Sequence, residues 1–186
     1  MSSFLTFATG VAMTLGLLAL AQRFRGFQAQ KPQDYAKLEP RVDIRKHLSG
    51  PIRCEGVIYG PLGRVSSRFV ADMEGRWDGN RGVLAEKFTY DSGTRQDREW
   101  RLTIGNDGRL VAEADDLVGK GSGQQEGAAL HLRYTIRLPE SAGGHALDVS
   151  DWMYLVDDKT IVNRSQFRKF GFKVAELVAT MRRVEA

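Results

Sequence analysis

The dominant pattern along the chain is an alternation of apolar and polar side chains that begins near Val65 and continues toward the C-terminus. It is cleanest between Ala128 and Leu138, where apolar residues at even positions are separated by His131, Arg133 and other polar residues. A period of two indicates half-buried antiparallel strands. Turn-forming sequences rich in Gly, Asp and Asn separate these segments, at residues 60–63, 78–80, 91–93, 105–108 and 142–144.

This order predicts an all-β fold, an antiparallel up-and-down meander of about eight to ten strands. No helical stretch long enough for a parallel crossover lies between the strands. A flat sheet of this size would expose its edges, so closure into a barrel is favoured, with a β-sandwich as the alternative. Residues 172–184 fit either a strand or a helix, and we interpret them as the closing strand.

The N-terminal segment, residues 1–22, carries no charged side chain, and its apolar run at residues 4–21 has no polar face. A helix that crosses a bilayer needs about 17–25 residues. Two interpretations remain open: a cleaved signal peptide ending in Ala19-Leu20-Ala21, or an uncleaved anchor followed by Arg23 and Arg25. Both predict that residues 4–21 contact a membrane, and the two arginines favour a cytoplasmic barrel.

Residues 23–42 are predicted to be a linker, because they include two prolines and show no apolar period. Asp43 is a suitable N-cap, and Gly50-Pro51 is a stop signal, so a short helix is predicted between them, before the first strand. The barrel domain is therefore assigned to residues 43–184.

Hairpin geometry predicts a polar cluster inside the barrel. A three-residue turn at 91–93 places Glu86 opposite Arg98, and a five-residue turn at 105–109 places Asp116 opposite the same arginine. An arginine on the inner face needs carboxylate partners. The cluster is therefore either an ion pair that holds the register, or the polar end of a ligand site in which Arg98 recognises an anionic head group.

Aromatic residues complete the candidate ligand site. Trp100, Phe88 and Tyr134 share the inner face with Arg98 and would form an apolar wall. Trp152 and Tyr154 form a second group, for which aromatic packing against a polar partner and a role at the cavity mouth are both open.

Composition narrows the chemistry. The chain has 27 Lys and Arg against 23 Asp and Glu, a net charge of +4 without a basic cluster that would bind nucleic acid. The single cysteine, Cys54, excludes an internal disulfide and a multi-cysteine metal site, and the three histidines lack metal-ligand spacing. We therefore assign no catalytic residue, metal or cofactor.

The chain resembles the bacterial family catalogued as domain of unknown function 3833, from about Asp34 to the C-terminus. The resemblance rests on ordered short motifs: Gly50-Pro51, Arg68-Phe69, Trp77-Asp78-Gly79, Leu84-x-Glu86-x-Phe88-x-Tyr90, Arg98-x-Trp100, Ala114-Asp115-Asp116-x-Val118-Gly119, Asp151-Trp152-Met153-Tyr154, Asn163-Arg164 and Lys169-Phe170-Gly171. It implies a small envelope protein with a lipocalin- or calycin-like barrel, preceded by the hydrophobic helix and the short helix. The family's lipoproteins have a Cys at the end of the signal, which is missing here. The resemblance implies an inner-membrane protein with its barrel on the periplasmic side, against the arginine argument.

The expected function is that of a membrane-tethered binding module that holds a small amphipathic or lipid-like ligand inside its barrel. One alternative is an enzyme with Glu86 or Asp116 as general base, which requires a raised carboxyl pKa that Arg98 would oppose. Another is a structural envelope protein that presents its outer face to a partner.

Overall fold

The computed structural model describes residues 2–184, without the side chains of residues 2, 19, 22–24 and 141. Part of the predicted basic flank, the side chain of Arg23, therefore lies outside the described residues. Helix α1 spans Ser2–Phe24 and α2 spans Ile44–His47, and short 3-10 helices lie at Phe27–Ala29, Pro32–Tyr35 and Glu140–Ala142. The ten strands are β1 Gly50–Tyr59, β2 Val65–Asp78, β3 Arg81–Tyr90, β4 Arg95–Ile104, β5 Arg109–Glu113, β6 Gly121–Glu126, β7 Ala129–Arg137, β8 Ala146–Leu155, β9 Thr160–Lys169 and β10 Phe172–Arg183.

The strands form a closed antiparallel barrel in which each strand pairs with its neighbours in sequence and β10 closes onto β1. This confirms the predicted meander and excludes the β-sandwich, and it makes residues 172–183 the closing strand. The predicted registers are also confirmed. Glu86 pairs with Arg98 across β3 and β4, and Leu102 pairs with Ala112 across β4 and β5.

Helix α2 plugs one end of the barrel. Asp43 caps it by accepting a hydrogen bond from the Arg45 backbone N–H at 3.0 Å, as its N-cap position predicts. Ile44 and Leu48 are fully buried, and the Leu48 carbonyl accepts a hydrogen bond from the Trp77 indole at 2.9 Å. The plug lies so close to β2 that a Cβ on Gly75 would collide with the Leu48 carbonyl. This end of the barrel is therefore closed.

The predicted linker is packed against the barrel wall over much of its length. We call residues 27–42 the strap. Gln28 donates to Gln166 at 3.3 Å, and the Val42 N–H donates to the Gly127 carbonyl at 2.8 Å. A Cβ on Gly127 would collide with the Tyr35 carbonyl, so the strap requires a glycine at that position. The strap runs along the outside of the barrel from its closed end toward the middle of β9.

Helix α1 carries many exposed apolar side chains, including Phe4, Leu5, Phe7, Met13, Leu15 and Leu18. Its C-terminal end contacts the 3-10 helix at the start of the strap. Among the described residues, no helix has both the length and the hydropathy that a bilayer crossing requires.

Candidate ligand site inside the barrel

The barrel encloses a cavity of about 630 Å³. Leu48 of the α2 plug, with Met73, Leu84 and Leu102, lines the closed end. Arg95 and Arg137 line the other end and are exposed, so the cavity opens to solvent there. The remaining wall is mostly apolar, and the polar side chains gather at mid-depth. This arrangement, an apolar pocket with a few convergent polar groups, is typical of small-molecule sites.

Arg98 lies at the centre of the polar group, with only 13% of its side chain exposed. Its Nη2 donates to Asp116 Oδ1 at 3.0 Å, and its Nε lies 2.8 Å from Asp116 Oδ2. Its guanidinium carbon lies 4.0 Å from the ring centre of Trp100. Burial lowers the pKa of Arg98, but Tyr134, Glu86 and Asp116 outweigh it and raise the pKa on balance. The guanidinium is thus charged and paired with Asp116, although its Nε makes no hydrogen bond of adequate geometry among the described residues.

Asp116 reaches this arginine from a loop. The predicted cross-strand pair does not form, because β5 ends at Glu113 and Asp116 lies in the connection to β6. The loop returns to the barrel where Leu117 bridges to Ile136, and this turn directs the Asp116 carboxylate inward. The alternation of inward and outward side chains therefore predicted the contact between Asp116 and Arg98. It did not predict that Asp116 lies in a loop.

Glu86 is the most isolated of the interior carboxyl groups. Its side chain is 7% exposed, its Oε2 has no hydrogen-bond partner among the described residues, and its distance to Arg98 Nη1 is 3.9 Å. Burial raises the pKa of Glu86 to about 7, against the opposing effect of Arg98. The expectation that Arg98 would lower this pKa is thus outweighed by desolvation, which disfavours the charged form.

Asp151 is a third interior carboxyl group, which was not among the predicted site residues. It accepts hydrogen bonds from Asn163 at 2.5 Å and from Ser165 at 2.8 Å, and the Tyr134 hydroxyl lies 3.5 Å away. Burial raises the pKa of Asp151, although the bonds from Ser165 and Asn163 act in the opposite direction. The alternation of side chains along the strands could have indicated this residue. Asp151 is on the opposite face of β8 from Trp152, and Asn163 and Ser165 both lie on the inner face of β9.

The predicted aromatic wall is present. Trp100 and Tyr134 meet edge to face with ring centres 5.1 Å apart, and Phe88 stacks on Tyr90 at 6.0 Å. All four side chains line the cavity. Phe88 and Tyr90 lie toward the open end, while Trp100 lies beside the polar group, so the wall extends from the mouth to mid-depth.

Trp152 and Tyr154 do not lie with the other predicted site residues. They are on the outer face of β8, beneath the strap, and neither lines the cavity. Trp152 is fully buried, stacks on His131 at 4.1 Å and contacts Tyr35 at 5.3 Å. The Tyr154 hydroxyl donates to Gln30 at 2.6 Å. The cavity-mouth placement was therefore wrong, and aromatic packing, the alternative considered from sequence, describes both residues.

The remaining reactive groups do not form a site. Burial raises the pKa of the Cys54 thiol to about 12, so it is protonated at neutral pH. Burial also lowers the pKa of His131 to about 4, so this outward-facing residue is neutral beneath the strap. Within residues 2–184, no three His, Cys, Asp or Glu side chains are grouped so that they could hold a metal ion.

A closed meander of ten strands around an open interior cavity defines the class of lipocalin-like barrels. Within that class, the chain belongs to the family described as Protein of unknown function (DUF3833), which matches residues 21–183. The family expected from the sequence motifs is thus confirmed. No curated protein matches the sequence.

Several solved structures share the fold at low sequence identity. The S-type phycobiliprotein lyase CpeS from Guillardia theta matches with a TM-score of 0.57 at 7% identity, covering 84% of this chain and 99% of the lyase. A DUF3598 protein of unknown function from Nostoc punctiforme matches with a TM-score of 0.55 at 13% identity, covering 78% of this chain and 51% of that protein. At these identities the likeness shows the fold alone.

Proposed function

We propose that this protein binds one small amphipathic molecule inside its barrel. The observation that carries the proposal is an apolar cavity of about 630 Å³ that opens at one end and has buried polar groups at mid-depth. Its volume lies within the range of about 300–1,000 Å³ typical of ligand pockets. A barrel that served only as a structural unit could fill its interior with side chains, as small barrels commonly do.

The amphipathic character follows from the distribution of the lining. The apolar part of a ligand would contact the floor formed by Leu48, Leu84 and Leu102, or the wall near the mouth formed by Phe88 and Phe167. Its polar part would lie near Glu86, Arg98 and Asp151. Burying apolar ligand surface contributes about 25 cal/mol per Å², so the apolar wall supplies most of the affinity and the polar groups set the orientation.

Cavity filling tests the proposal. We expect the full chain to bind N-phenyl-1-naphthylamine, an uncharged lipophilic probe that fluoresces in apolar surroundings, with a stoichiometry of one. Met153→Trp places a bulky indole ring in the cavity and is expected to weaken probe binding by about tenfold or more, because the ring occupies the space that the probe needs. Fluorescence titration measures both affinities.

The matched control is Val83→Trp, which adds a similar ring on the outer face of β3, where Val83 is exposed. This variant should bind the probe as the wild type does. Equal binding by the wild type and Met153→Trp would show that the probe occupies another place. No ligand in organic extracts of protein purified without detergent, together with no probe binding, would contradict the proposal.

We further propose that α1 holds the protein at a lipid membrane, with the barrel on the periplasmic side. Exposed apolar side chains surround this helix; Phe4 is 76% and Phe7 is 71% exposed. A contiguous apolar surface of this kind is typical of a membrane or protein contact. The strap supports the proposal because its packing on β8 and β9 would hold the barrel close to the bilayer surface.

Flotation with phosphatidylcholine vesicles tests the membrane contact. The wild type should float with the vesicles, whereas the double variant Leu15→Asp, Leu18→Asp should lose about nine-tenths of its bound fraction, since charges in an apolar helix are costly to bury in lipid. Leu62→Asp, at an exposed leucine of the β1–β2 turn, is the control. A wild type that stays out of the vesicle fraction would contradict the proposal, and a periplasm-dependent reporter fused after residue 186 would test the sidedness.

A further inference from the structure

The polar centre of the cavity contains more carboxyl groups than positive charges. Glu86, Asp116 and Asp151 face the interior at mid-depth, together with the single guanidinium of Arg98. The other two arginines of the lining, Arg95 and Arg137, are exposed at the mouth. A ligand that reaches mid-depth therefore encounters an environment that is rich in hydrogen-bond acceptors.

Arg98 is already paired with a carboxylate of the protein. Asp116 occupies its Nε and Nη2 at 2.8 and 3.0 Å, and Trp100 covers one face of the guanidinium at 4.0 Å. A ligand carboxylate or phosphate would have to displace Asp116 and would then lie near Glu86 and Asp151. An anionic head group, the ligand expected from the sequence, would therefore have to compete with Asp116 for the guanidinium.

Among the described residues, two buried atoms of this polar centre have no hydrogen-bond partner: the acceptor Glu86 Oε2, and the donor Arg98 Nε, which Asp116 Oδ2 approaches to 2.8 Å without hydrogen-bond geometry. Glu86 Oε2 lies 3.9 Å from the nearest guanidinium nitrogen. Asp151 Oδ2 has the Tyr134 hydroxyl at 3.5 Å, at the limit of a hydrogen bond. A buried carboxylate without a donor is costly, and each such group calls for an explanation. Burial raises the pKa of both carboxyl groups, as expected where a positive charge is missing.

Since three interior carboxyl groups face one guanidinium and Glu86 Oε2 has no donor, we propose that the ligand of this barrel presents a nitrogen hydrogen-bond donor, best a protonated amine, to Glu86, and that anionic head groups are disfavoured. This inference rests on the proposed function and specifies its ligand class. An ammonium group beside Glu86 would give its free Oε2 the missing donor. The rings of Tyr134 and Phe88 line the same cavity, and aromatic faces attract cations.

The proposal is tested with a matched pair of probes, decylamine and decanoate, which differ in the charge of the head group. Isothermal titration of the full chain at pH 8, where Glu86 is ionised and decylamine is protonated, should show decylamine binding about tenfold tighter or more. Glu86→Gln replaces the carboxylate with a neutral group of the same shape. In this variant the preference for decylamine over decanoate should fall to about threefold or less, because the affinity for decylamine decreases.

The control variant is Glu99→Gln, which removes an exposed carboxylate from the outer face of the same strand pair and should keep the wild-type preference. Circular dichroism checks the fold, and the comparison of the two probes on the wild type needs no variant. Equal affinities, or tighter binding of decanoate, would overturn the amine assignment while leaving the proposed function in place. Binding of neither probe, together with no binding of N-phenyl-1-naphthylamine, would instead reject the proposed function itself.

Discussion

Replacing Trp152 with Ala is expected to lower the free energy of unfolding by about 3–5 kcal/mol, the usual cost of removing a large buried aromatic side chain. Trp152 is 1% exposed and lies on the outer face of β8 beneath the strap, where it stacks on His131 and contacts Tyr35. The cavity left by the indole cannot collapse, because β7 and β8 hold the surrounding backbone in register. Urea unfolding followed by circular dichroism measures the change.

Phe172→Ala provides the comparison, because Phe172 is 76% exposed at the start of β10 and its loss should cost less than about 0.5 kcal/mol. A second measurement separates the strap from the barrel. Trypsin should cut the Trp152 variant faster after Lys37, since the strap loses its main aromatic contact. An unchanged stability together with unchanged cleavage would show that the strap does not depend on this packing.

The second large effect is a change in the pH dependence of stability when Glu86 is replaced with Gln. The folded-state pKa of Glu86 is about 7 and the usual value is 4.5, so the folded protein keeps a proton that the unfolded chain releases between those values. Stability from this residue is therefore fully present below about pH 4.5 and is lost as pH rises through 7. The difference of about 2.5 units corresponds to about 3 kcal/mol.

The measurement is the free energy of unfolding of the wild type and Glu86→Gln at several values between pH 4.5 and 8.5. The variant should gain about 3 kcal/mol relative to the wild type across this range, whatever its absolute stability. His131 acts in the opposite direction, because its pKa of about 4 in the folded state means that its contribution falls as pH drops through 6.5 toward 4. It is present in both proteins and cancels in the difference.

The charged and titratable groups that act on Glu86 are Arg98, Asp116, Asp151, Cys54, Tyr90 and Tyr134. These groups are unchanged in the variant, so a difference in stability that is confined to this pH range arises from the titration of Glu86. Glu99→Gln, on the outer face, should give the wild-type profile. If Glu86→Gln and the wild type have parallel profiles, Glu86 does not titrate near neutral pH and the cavity is more hydrated than its lining indicates.

The predictions that succeeded depend on local geometry. The turn at 91–93 places Glu86 opposite Arg98, and this pairing is present in the barrel. The same alternation places Phe88, Trp100 and Tyr134 on the inner face, where they line the cavity. The register of a hairpin and the alternation of side chains along a strand follow from a few neighbouring residues, so they could be predicted without knowing how the sheet closes.

The predictions that failed depend on contacts between distant parts of the chain. The linker is polar and contains prolines, yet Gln30 and Tyr35 pack on Tyr154 and Trp152, more than a hundred residues later. An outward-facing aromatic residue is expected to contact solvent or a ligand unless another segment covers it. Nothing in the alternation of β8 indicates that the strap lies over it, so Trp152 and Tyr154 could not be placed correctly.

By itself, the sequence determined the family, the antiparallel meander, the pairing of Glu86 with Arg98 and the inward faces of β3, β4 and β7, because all of these depend on local periodicity, turn geometry and short motifs. Only the tertiary structure decided that the interior stays open, that Asp116 occupies the guanidinium of Arg98, that Asp151 joins Glu86 as an acceptor, and that the strap covers Trp152. The physical reason is that free volume, desolvation and long-range packing arise only when segments far apart in sequence come together around the same space.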